Sequence, residues 1–346
     1  MKIFLSLTVL SLVGLAFGAP TSSEEDEVLV ITKDFFSKDS IIYSGKHEIV
    51  NLMVPLNGLN HENDNDHSSE YNPNSNEIDL NILLFFVEAD VDSNGNRVDR
   101  GLYVMRNGKA TKILEHGRDA AASRDDSNLA FFGAKDGIYV YDYANNSANK
   151  YGTVDYSIIG IGKEDTGDVI YILTENHEMF KVSKGGMRKE KINDVVDARQ
   201  FVLDLSNNIY FYADDKQAYV RTINGVKKVE GLPQNPSSVT LIKPPVLMYE
   251  DAVPFVVDNR LYFIFANGTS EYFKTIFEPK AKPSAYAPDG FLIQYYAYNN
   301  KIYEFNLIAK FYDHVTSYLD TLIYDNMDKI QSAANKSPRP RQRQRV

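Results

Sequence analysis

The string Gly101-Leu102-Tyr103-Val104 is the first of six similar strings in this chain, and together they decide its fold. In the other five, a tyrosine again follows Ile or Leu inside a short apolar run: Gly137-Ile138-Tyr139-Val140, Val169-Ile170-Tyr171-Ile172, Asn208-Ile209-Tyr210-Phe211, Arg260-Leu261-Tyr262-Phe263 and Lys301-Ile302-Tyr303-Glu304. Successive tyrosines lie 36, 32, 39, 52 and 41 positions apart. A unit of about forty residues, rich in strand formers, is typical of a four-stranded propeller blade. The sequence therefore predicts an all-β protein with the β-propeller fold.

Strand-like segments from Leu83 to Phe305 group into six such units. Six four-stranded blades are the preferred count, with strands near Val28–Thr32 and Ser40–Tyr43 completing the ring. Seven blades is the alternative, because Ile42-Tyr43 could begin a further unit. Asn107-Gly108 has the composition of a tight hairpin turn between two of these strands.

The two ends of the chain predict a compartment and a domain plan. Residues 1–18 have the pattern of a signal peptide, in which Lys2 precedes an apolar run too short to span a membrane. We expect the propeller to occupy residues 19–311, interrupted by a disordered polar insertion at 60–76. Apolar residues from Val315 to Ile330 recur at helical spacing, which predicts an amphipathic helix at 312–333 and then a disordered basic tail at 334–346.

Composition excludes several classes of function. The chain has no Cys, so it carries no thiol nucleophile or thiolate metal site, and its length allows a core that folds without disulfides. The net charge is −10, and the last eleven residues hold five basic side chains and no acid, so the remainder is more acidic still. Such a body repels phosphate backbones. We expect a secreted, soluble, extracellular monomer that binds neither nucleic acid nor membrane.

Catalytic and cofactor motifs are absent from the sequence. None of the six histidines forms His-Glu-x-x-His, and there is no Gly-x-Ser-x-Gly, Walker loop or Gly-x-Gly-x-x-Gly. We therefore expect no enzyme activity, no cofactor and no metal. Asp90, Asp92 and Asn94 alternate before Gly95 as calcium ligands do, but the twelfth position is Gly101 instead of Glu. The alternative is a hairpin loop with Asn94-Gly95 at its tip, and calcium binding there stays open.

A ligand site is expected at the mouth of the central channel, where loops lead into the innermost strand of each blade. The strand assignment places Arg118, Tyr156, Arg199, Lys282 and Tyr286 at or just inside that mouth. Cations beside aromatic faces suit a flat acidic ligand. Separately, the sequons at Asn145 and Asn267 fall at blade turns, where glycosylation is expected in a secreted chain.

Several strings resemble the ommochrome-binding proteins of insect haemolymph, especially the lepidopteran ones. They are Leu-Phe-Phe-Val-Glu-Ala-Asp (84–90), Gly-Leu-Tyr-Val-Met-Arg-Asn-Gly-Lys (101–109), Phe-Gly-Ala-Lys-Asp-Gly-Ile-Tyr-Val-Tyr (132–141), Val-Leu-Asp-Leu-Ser-Asn-Asn-Ile-Tyr-Phe-Tyr (202–212) and Leu-Pro-Gln-Asn-Pro-Ser-Ser-Val (232–239). The resemblance implies a secreted haemolymph carrier of ommochromes, which are tryptophan-derived phenoxazinone pigments. It supplies no contact residue, and the 60–76 insertion and the Arg-rich tail depart from the family pattern.

The sequence thus predicts a carrier of a small aromatic pigment, and two alternatives come from other classes. One is a calcium-dependent hydrolase or lactonase on a six-bladed propeller, which would hold its metal in the channel with Asp, Asn and Glu. The inner strands here offer mainly Ala, Ile, Val and Ser, which argues against it. The other is an extracellular interaction module with the basic tail as an electrostatic tether.

Overall fold

The computed structural model describes residues 28–55, 83–123, 129–244, 251–290 and 293–306. The expected signal peptide (1–18), insertion (60–76), C-terminal helix (312–333) and basic tail (334–346) lie outside these ranges. No helix in the described part of the chain is long and apolar enough to cross a membrane.

Almost all regular structure in these ranges is β-strand, apart from two single-turn 3-10 helices at Lys33–Phe35 and Lys38–Ser40. The strands are β1 (Leu29–Ile31), β2 (Ile41–Ser44), β3 (Glu48–Met53), β4 (Leu84–Val91), β5 (Arg97–Arg106), β6 (Lys109–Leu114), β7 (Gly117–Ala122), β8 (Ala130–Ala134), β9 (Gly137–Asp142), β10 (Ser147–Lys150), β11 (Ile158–Lys163), β12 (Ile170–Thr174), β13 (Met179–Ser183), β14 (Arg188–Lys191), β15 (Gln200–Leu203), β16 (Ile209–Tyr212), β17 (Ala218–Thr222), β18 (Gly225–Lys228), β19 (Val239–Leu241), β20 (Ala252–Val257), β21 (Arg260–Phe265), β22 (Ser270–Phe277), β23 (Ala285–Gly290), β24 (Ile293–Tyr298) and β25 (Lys301–Asn306).

These strands form six antiparallel blades, which confirms the predicted six-bladed propeller. Blades 1 to 4 are each built from consecutive strands: β3 to β6, β7 to β10, β11 to β14 and β15 to β18. Blade 5 contains β19 to β22, and blade 6 contains β23 to β25. The inner strand of each blade is its first, so β3, β7, β11, β15, β19 and β23 surround the central channel.

The N-terminal strands join the last two blades of the ring. Strand β2 pairs antiparallel with β25, with Ile41 opposite Tyr303, and so supplies the outer strand of blade 6. The next strand, β3, is already the inner strand of blade 1, so the closure confirms that N-terminal strands complete the ring. Strand β1 adds a fifth, parallel strand to blade 5, with Leu29 opposite Thr275. The sequence predicts that strand but not its partner.

Six apolar clusters hold the blades together, one at each seam between neighbours. Alternate residues of a strand face opposite sides of its sheet, so each blade contributes to two seams. Phe85 of blade 1, for example, packs edge-on against Tyr141 of blade 2 with ring centroids 4.9 Å apart. Phe85 and Phe132 are fully buried in the same cluster. Large aromatic side chains thus fill the seams without any disulfide.

The recurring tyrosine does not occupy the same strand in every blade. Tyr103, Tyr139, Tyr262 and Tyr303 lie on third strands, whereas Tyr171 and Tyr210 lie on second strands. A step from a third to a second strand shortens the interval, and the reverse step lengthens it. These two steps account for the intervals of 32 and 52 positions in an otherwise regular series.

Candidate functional site

A cavity of about 230 Å³ lies in the central channel, because the inner strands of all six blades contribute to its lining. One lining residue from each blade is Asn51, Arg118, Gly160, Arg199, Lys243 and Tyr286. Arg118 is the second residue of β7, and Arg199 immediately precedes β15. The cavity therefore reaches the end of the channel at which the chain enters the inner strands.

The charge of this lining is opposite to that of the chain as a whole. Its charged side chains are four cations, Arg97, Arg118, Arg199 and Lys243, and one carboxylate, Asp119. The chain carries a net charge of −10. Channel walls that concentrate one sign of charge attract ligands of the other sign. The site is therefore a candidate for binding an anion.

Arg118 is held by side chains from two blades. Its Nε donates to Asp99 Oδ2 at 2.8 Å, and its Nη1 donates to Ser157 Oγ at 3.0 Å. The side chain is 6% exposed, and Glu175 lies 3.5 Å from the same Nη1. Its Nη2 group donates no hydrogen bond to any described residue. A guanidinium fixed in this way is preorganised, with one amino group left for a ligand.

Arg199 is held at the channel mouth two blades away from Arg118, in blade 4. Its Nε pairs with Asp214 Oδ1, and its Nη1 pairs with Nε2 of His177. The arginine side chain is 40% exposed. The Arg199 guanidinium lowers the pKa of Asp214 below its usual range. In the described ranges the Nη2 group of Arg199 has no hydrogen-bond partner, so this guanidinium too retains a donor.

Asp119 links four blades at the centre of the channel. Its Oδ1 accepts from Asn51 Nδ2 of blade 1 at 2.6 Å and from the backbone N–H of Ala120 at 2.8 Å. Its Oδ2 accepts from the N–H of Ile161 in blade 3 at 2.8 Å. From blade 5, Lys243 Nζ lies 3.3 Å from Oδ1 and also donates to the Ala120 carbonyl. The lysine thus spans the channel between opposite blades.

Two buried polar atoms of the lining residues have no partner. Asn51 Oδ1 and the hydroxyl of Tyr286 form no hydrogen bond within the described structure. Tyr286 is 8% exposed, and its burial raises the pKa of its phenol well above the ordinary value. Buried polar atoms are almost always satisfied by protein, water or ligand. Both atoms are shielded from solvent, and the Tyr286 ring lies in the apolar cluster between blades 5 and 6.

The five residues expected at the channel mouth divide into two groups. Arg118, Arg199 and Tyr286 line the cavity, whereas Tyr156 and Lys282 are not among its lining residues. Tyr156 stacks on Phe180 with centroids 4.8 Å apart, and Lys189 covers its ring at 4.3 Å. Lys282 is half-buried, and this burial lowers the pKa of its amine. Ligand contact by any of the five stays a prediction.

Sequence reasoning missed Asp119 and Lys243. The signal for Asp119 was available, since it is an acid beside Arg118 in an inner strand whose other residues are Gly and Ala. Lys243 gave no such signal. It lies just after the last residue of β19 and reaches Asp119 only through its long side chain.

The candidate calcium loop is the hairpin between β4 and β5. Asp92 Oδ1 accepts the backbone N–H groups of Asn94 and Asn96 at 2.9 and 2.8 Å, so it caps the turn. Asp90 is held elsewhere, by His47 Nδ1 at 2.7 Å and Arg100 Nε at 2.6 Å. Among the described residues no group of three or more His, Asp or Glu side chains is arranged to hold a metal. The segment is therefore the hairpin loop that the alternative interpretation predicted.

The two sequons lie on exposed turns in the described structure. Asn145 is exposed in the turn between β9 and β10, where its amide nitrogen donates to Asp142. Asn267 is exposed in the turn between β21 and β22, and its side-chain oxygen accepts from the Thr269 hydroxyl at 2.7 Å. Both side chains are accessible to a glycosylating enzyme, and their modification stays a prediction.

No protein-family model and no curated protein matches this chain. Solved structures resemble it only distantly. PorZ, a surface component of the type-IX secretion system of Porphyromonas gingivalis, is 12% identical with a TM-score of 0.44, and the match covers 78% of this chain and 38% of PorZ. The extracellular domain of a one-component system from B. thetaiotaomicron is 8% identical with a TM-score of 0.45, and the match covers 77% of this chain and 41% of that one. U3-55K is 7% identical with a TM-score of 0.47, over 78% and 99% of the two chains.

Proposed function

We propose that this protein is a secreted carrier that binds a small, planar, acidic aromatic molecule in its central channel and does not transform it. The observation that carries the proposal is the lining of the cavity, in which four cations and one carboxylate face the channel of a chain with net charge −10. Secretion rests on the signal-peptide pattern of residues 1–18.

The chemistry of recognition follows from the groups at the mouth. Arg118 and Arg199 each use Nε and Nη1 for protein contacts. Their Nη2 groups can donate to a carboxylate of the ligand, and such charge-assisted bonds are stronger than neutral ones. The half-buried Tyr212 ring lines the same cavity and offers an aromatic contact.

The size of the cavity limits how the ligand enters. Its volume of about 230 Å³ is below the range of roughly 300–1,000 Å³ that holds drug-sized ligands. A multi-ring acid therefore places its acidic end inside the channel and leaves part of its ring system at the mouth. We propose an ommochrome as this acid, because the strings at 84–90, 101–109 and 132–141 resemble ommochrome-binding proteins.

A binding role without catalysis accords with the state of the ionisable groups. Asp119 accepts two backbone N–H groups and contacts Lys243, so it is not an unpaired base. Asp99 is likewise engaged by Arg97 and Arg118 at 2.8 Å each. General acid–base catalysis needs a group that can exchange protons with the substrate. Both carboxylates are thus paired with cations of the cavity lining.

The test is a titration of the colourless purified protein with a phenoxazinone ommochrome, followed by its visible absorbance. We expect a saturable spectral shift. Because Arg199 supplies a charge-assisted contact worth about 1.5–3 kcal/mol, Arg199→Gln should weaken binding by about tenfold or more. Arg188→Gln on the outer strand β14, 58% exposed, is the matched control and should bind as wild type does. Absence of a spectral shift, or equal weakening by both variants, would overturn the proposal.

A further inference from the structure

His177 adjoins the proposed anion site through a single hydrogen bond. It lies in the turn between β12 and β13 of blade 3, with φ of 61°. Its Nδ1 is 3.0 Å from the carbonyl oxygen of Ala198, and its Nε2 contacts Nη1 of Arg199. Arg199 lines the cavity, whereas His177 is not a lining residue. The imidazole therefore acts on the channel through Arg199.

The two contacts fix the tautomer of the neutral ring. A carbonyl oxygen only accepts, so Nδ1 carries the hydrogen and donates it to Ala198. The Nε2 atom then has a lone pair and accepts from the guanidinium of Arg199. A protonated imidazole carries a hydrogen on Nε2 as well and cannot accept this bond. Proton binding by His177 therefore breaks the contact with Arg199 and places two positive charges side by side.

Charged groups from every neighbouring element surround this pair. Asp214, in the turn between β16 and β17, binds Arg199 and interacts electrostatically with His177. Asp197 precedes Arg199 and interacts with it, while Glu175 and Glu178 flank His177 in its own turn. Glu175 contacts Arg118, and Glu178 contacts Lys191 at the other end of the turn. Asp214 is thus the carboxylate that both His177 and Arg199 can share.

We infer that His177 is a positioning residue that makes anion binding in the channel stronger at acidic pH. Protonation releases Nη1 of Arg199 from His177, while Asp214 still holds Arg199 through Nε. Asp214 then neutralises two cations where it formerly neutralised one, so the positive charge at the channel mouth increases. An anion in the channel consequently binds more tightly, and its binding takes up a proton. This inference rests on the proposed function.

The test measures the dissociation constant of the phenoxazinone ommochrome between pH 7.5 and 5.5, with the spectrum of free pigment recorded at each pH. For wild type we expect affinity to rise by about threefold to tenfold on acidification, the effect of one added charge near the site. His177→Gln keeps a hydrogen-bond acceptor at every pH and should bind with the same affinity throughout. His47→Gln, which removes a histidine paired with Asp90, is the matched control and should retain the wild-type profile.

His177→Asn, which tolerates the positive φ better, repeats the binding test if the Gln variant is poorly folded. Pigment binding that is equal at both pH values would overturn the inference. Absence of pigment binding at every pH would instead overturn the proposed function.

Discussion

The recurring tyrosine has a structural role that its surroundings explain. The hydroxyl of Tyr139 donates to Asp136 at 2.8 Å, and Lys150 lies 4.8 Å from the centre of its ring. Tyr171 repeats the arrangement with Glu164 at 2.8 Å and Lys181 at 5.9 Å. Each ring is an apolar surface with a polar end, so it packs in a blade and still binds a carboxylate. This combination explains why tyrosine and not phenylalanine occupies positions 139 and 171.

Burial and these carboxylates together predict that tyrosines of this kind ionise at a higher pH than a free tyrosine does. Desolvation, reinforced by Glu88 and by Asp136 respectively, raises the pKa of Tyr103 and Tyr139 to about 12. These two tyrosines, and the more deeply buried Tyr143 and Tyr171 whose pKa is raised further, should therefore remain protonated at about pH 11 in the native protein. The absorbance of tyrosinate, measured without interference because the chain has no Trp, checks this.

The same protein unfolded in urea is the control and should titrate near pH 10. A native curve that coincides with the unfolded one would contradict the prediction. Because the folded pKa values are raised, the stability from these phenols is present below about pH 10 and is lost as the pH rises through the folded values. Alkaline unfolding should therefore accompany the late ionisation.

At the residue scale the sequence predicted part of the site. Arg118 and Arg199 were accessible to prediction because each sits where the chain enters an inner strand. Tyr156 meets the same criterion, yet its ring turns outward onto Phe180. Side-chain direction depends on packing between blades, which strand boundaries do not specify. The contact between Lys243 and Asp119 joins opposite blades and has no local signal at all.

At the scale of elements, the outer strands carry charges that protect the sheet edges. Strand β14 is Arg188-Lys189-Glu190-Lys191, and all four residues are exposed. On its other side β14 has no strand partner among the described residues. An unpaired edge invites pairing with another molecule, and charged side chains, lysine above all, oppose it. The Lys pairs of β6 and β18 have the same effect.

Replacing Arg188 and Glu190 together with Val should cause concentration-dependent self-association. Both side chains are exposed and pair with each other, so the change removes no buried contact and leaves the fold intact. It places two β-branched, uncharged residues on an edge strand that keeps Lys189 and Lys191, which favours pairing between molecules. Light scattering across a concentration series measures the effect. The matched control, Arg188→Gln with Glu190→Gln, should associate less, and equal behaviour of the two double variants would contradict this explanation.

The position of β1 and β2 shows where local pattern stops being informative. Both segments have strand-forming composition, so their existence was predictable from the sequence. Their partners, β22 and β25, lie at the other end of the described chain, and no local pattern encodes that pairing. The prediction that N-terminal strands complete the ring came from counting blades. The number of blades does not require the parallel pairing of β1 with blade 5, so that pairing was not predicted.

At the scale of the molecule, the carboxylate of Asp119 connects blades across the channel. It contacts groups from blades 1, 3 and 5 in addition to its own. The side chains of Asp119 and Lys243 are 10% and 23% exposed, so neither is well solvated. Removing one partner of such a pair leaves the other charge without compensation.

Asp119→Asn should lower the free energy of unfolding by about 3 kcal/mol, because Lys243 is then left with a neutral amide. Urea denaturation followed by circular dichroism measures the loss. The double variant Asp119→Asn with Lys243→Met removes both charges and should recover a large part of it, which a double-mutant cycle quantifies. A single variant as stable as wild type would show that the contact across the channel does not stabilise the ring.

The pairing of β2 with β25 also sets the order in which this protein can be completed. A ribosome releases Ile41 early and Tyr303 only after nearly the whole described chain has emerged. Blades 1 to 4 use neighbouring strands, so each can assemble during synthesis, while blade 6 waits for its partner. Throughout that interval β2 has no strand to pair with. Ring closure therefore follows the formation of the other blades, and a nascent chain halted before Lys301 holds formed sheets around an open seam.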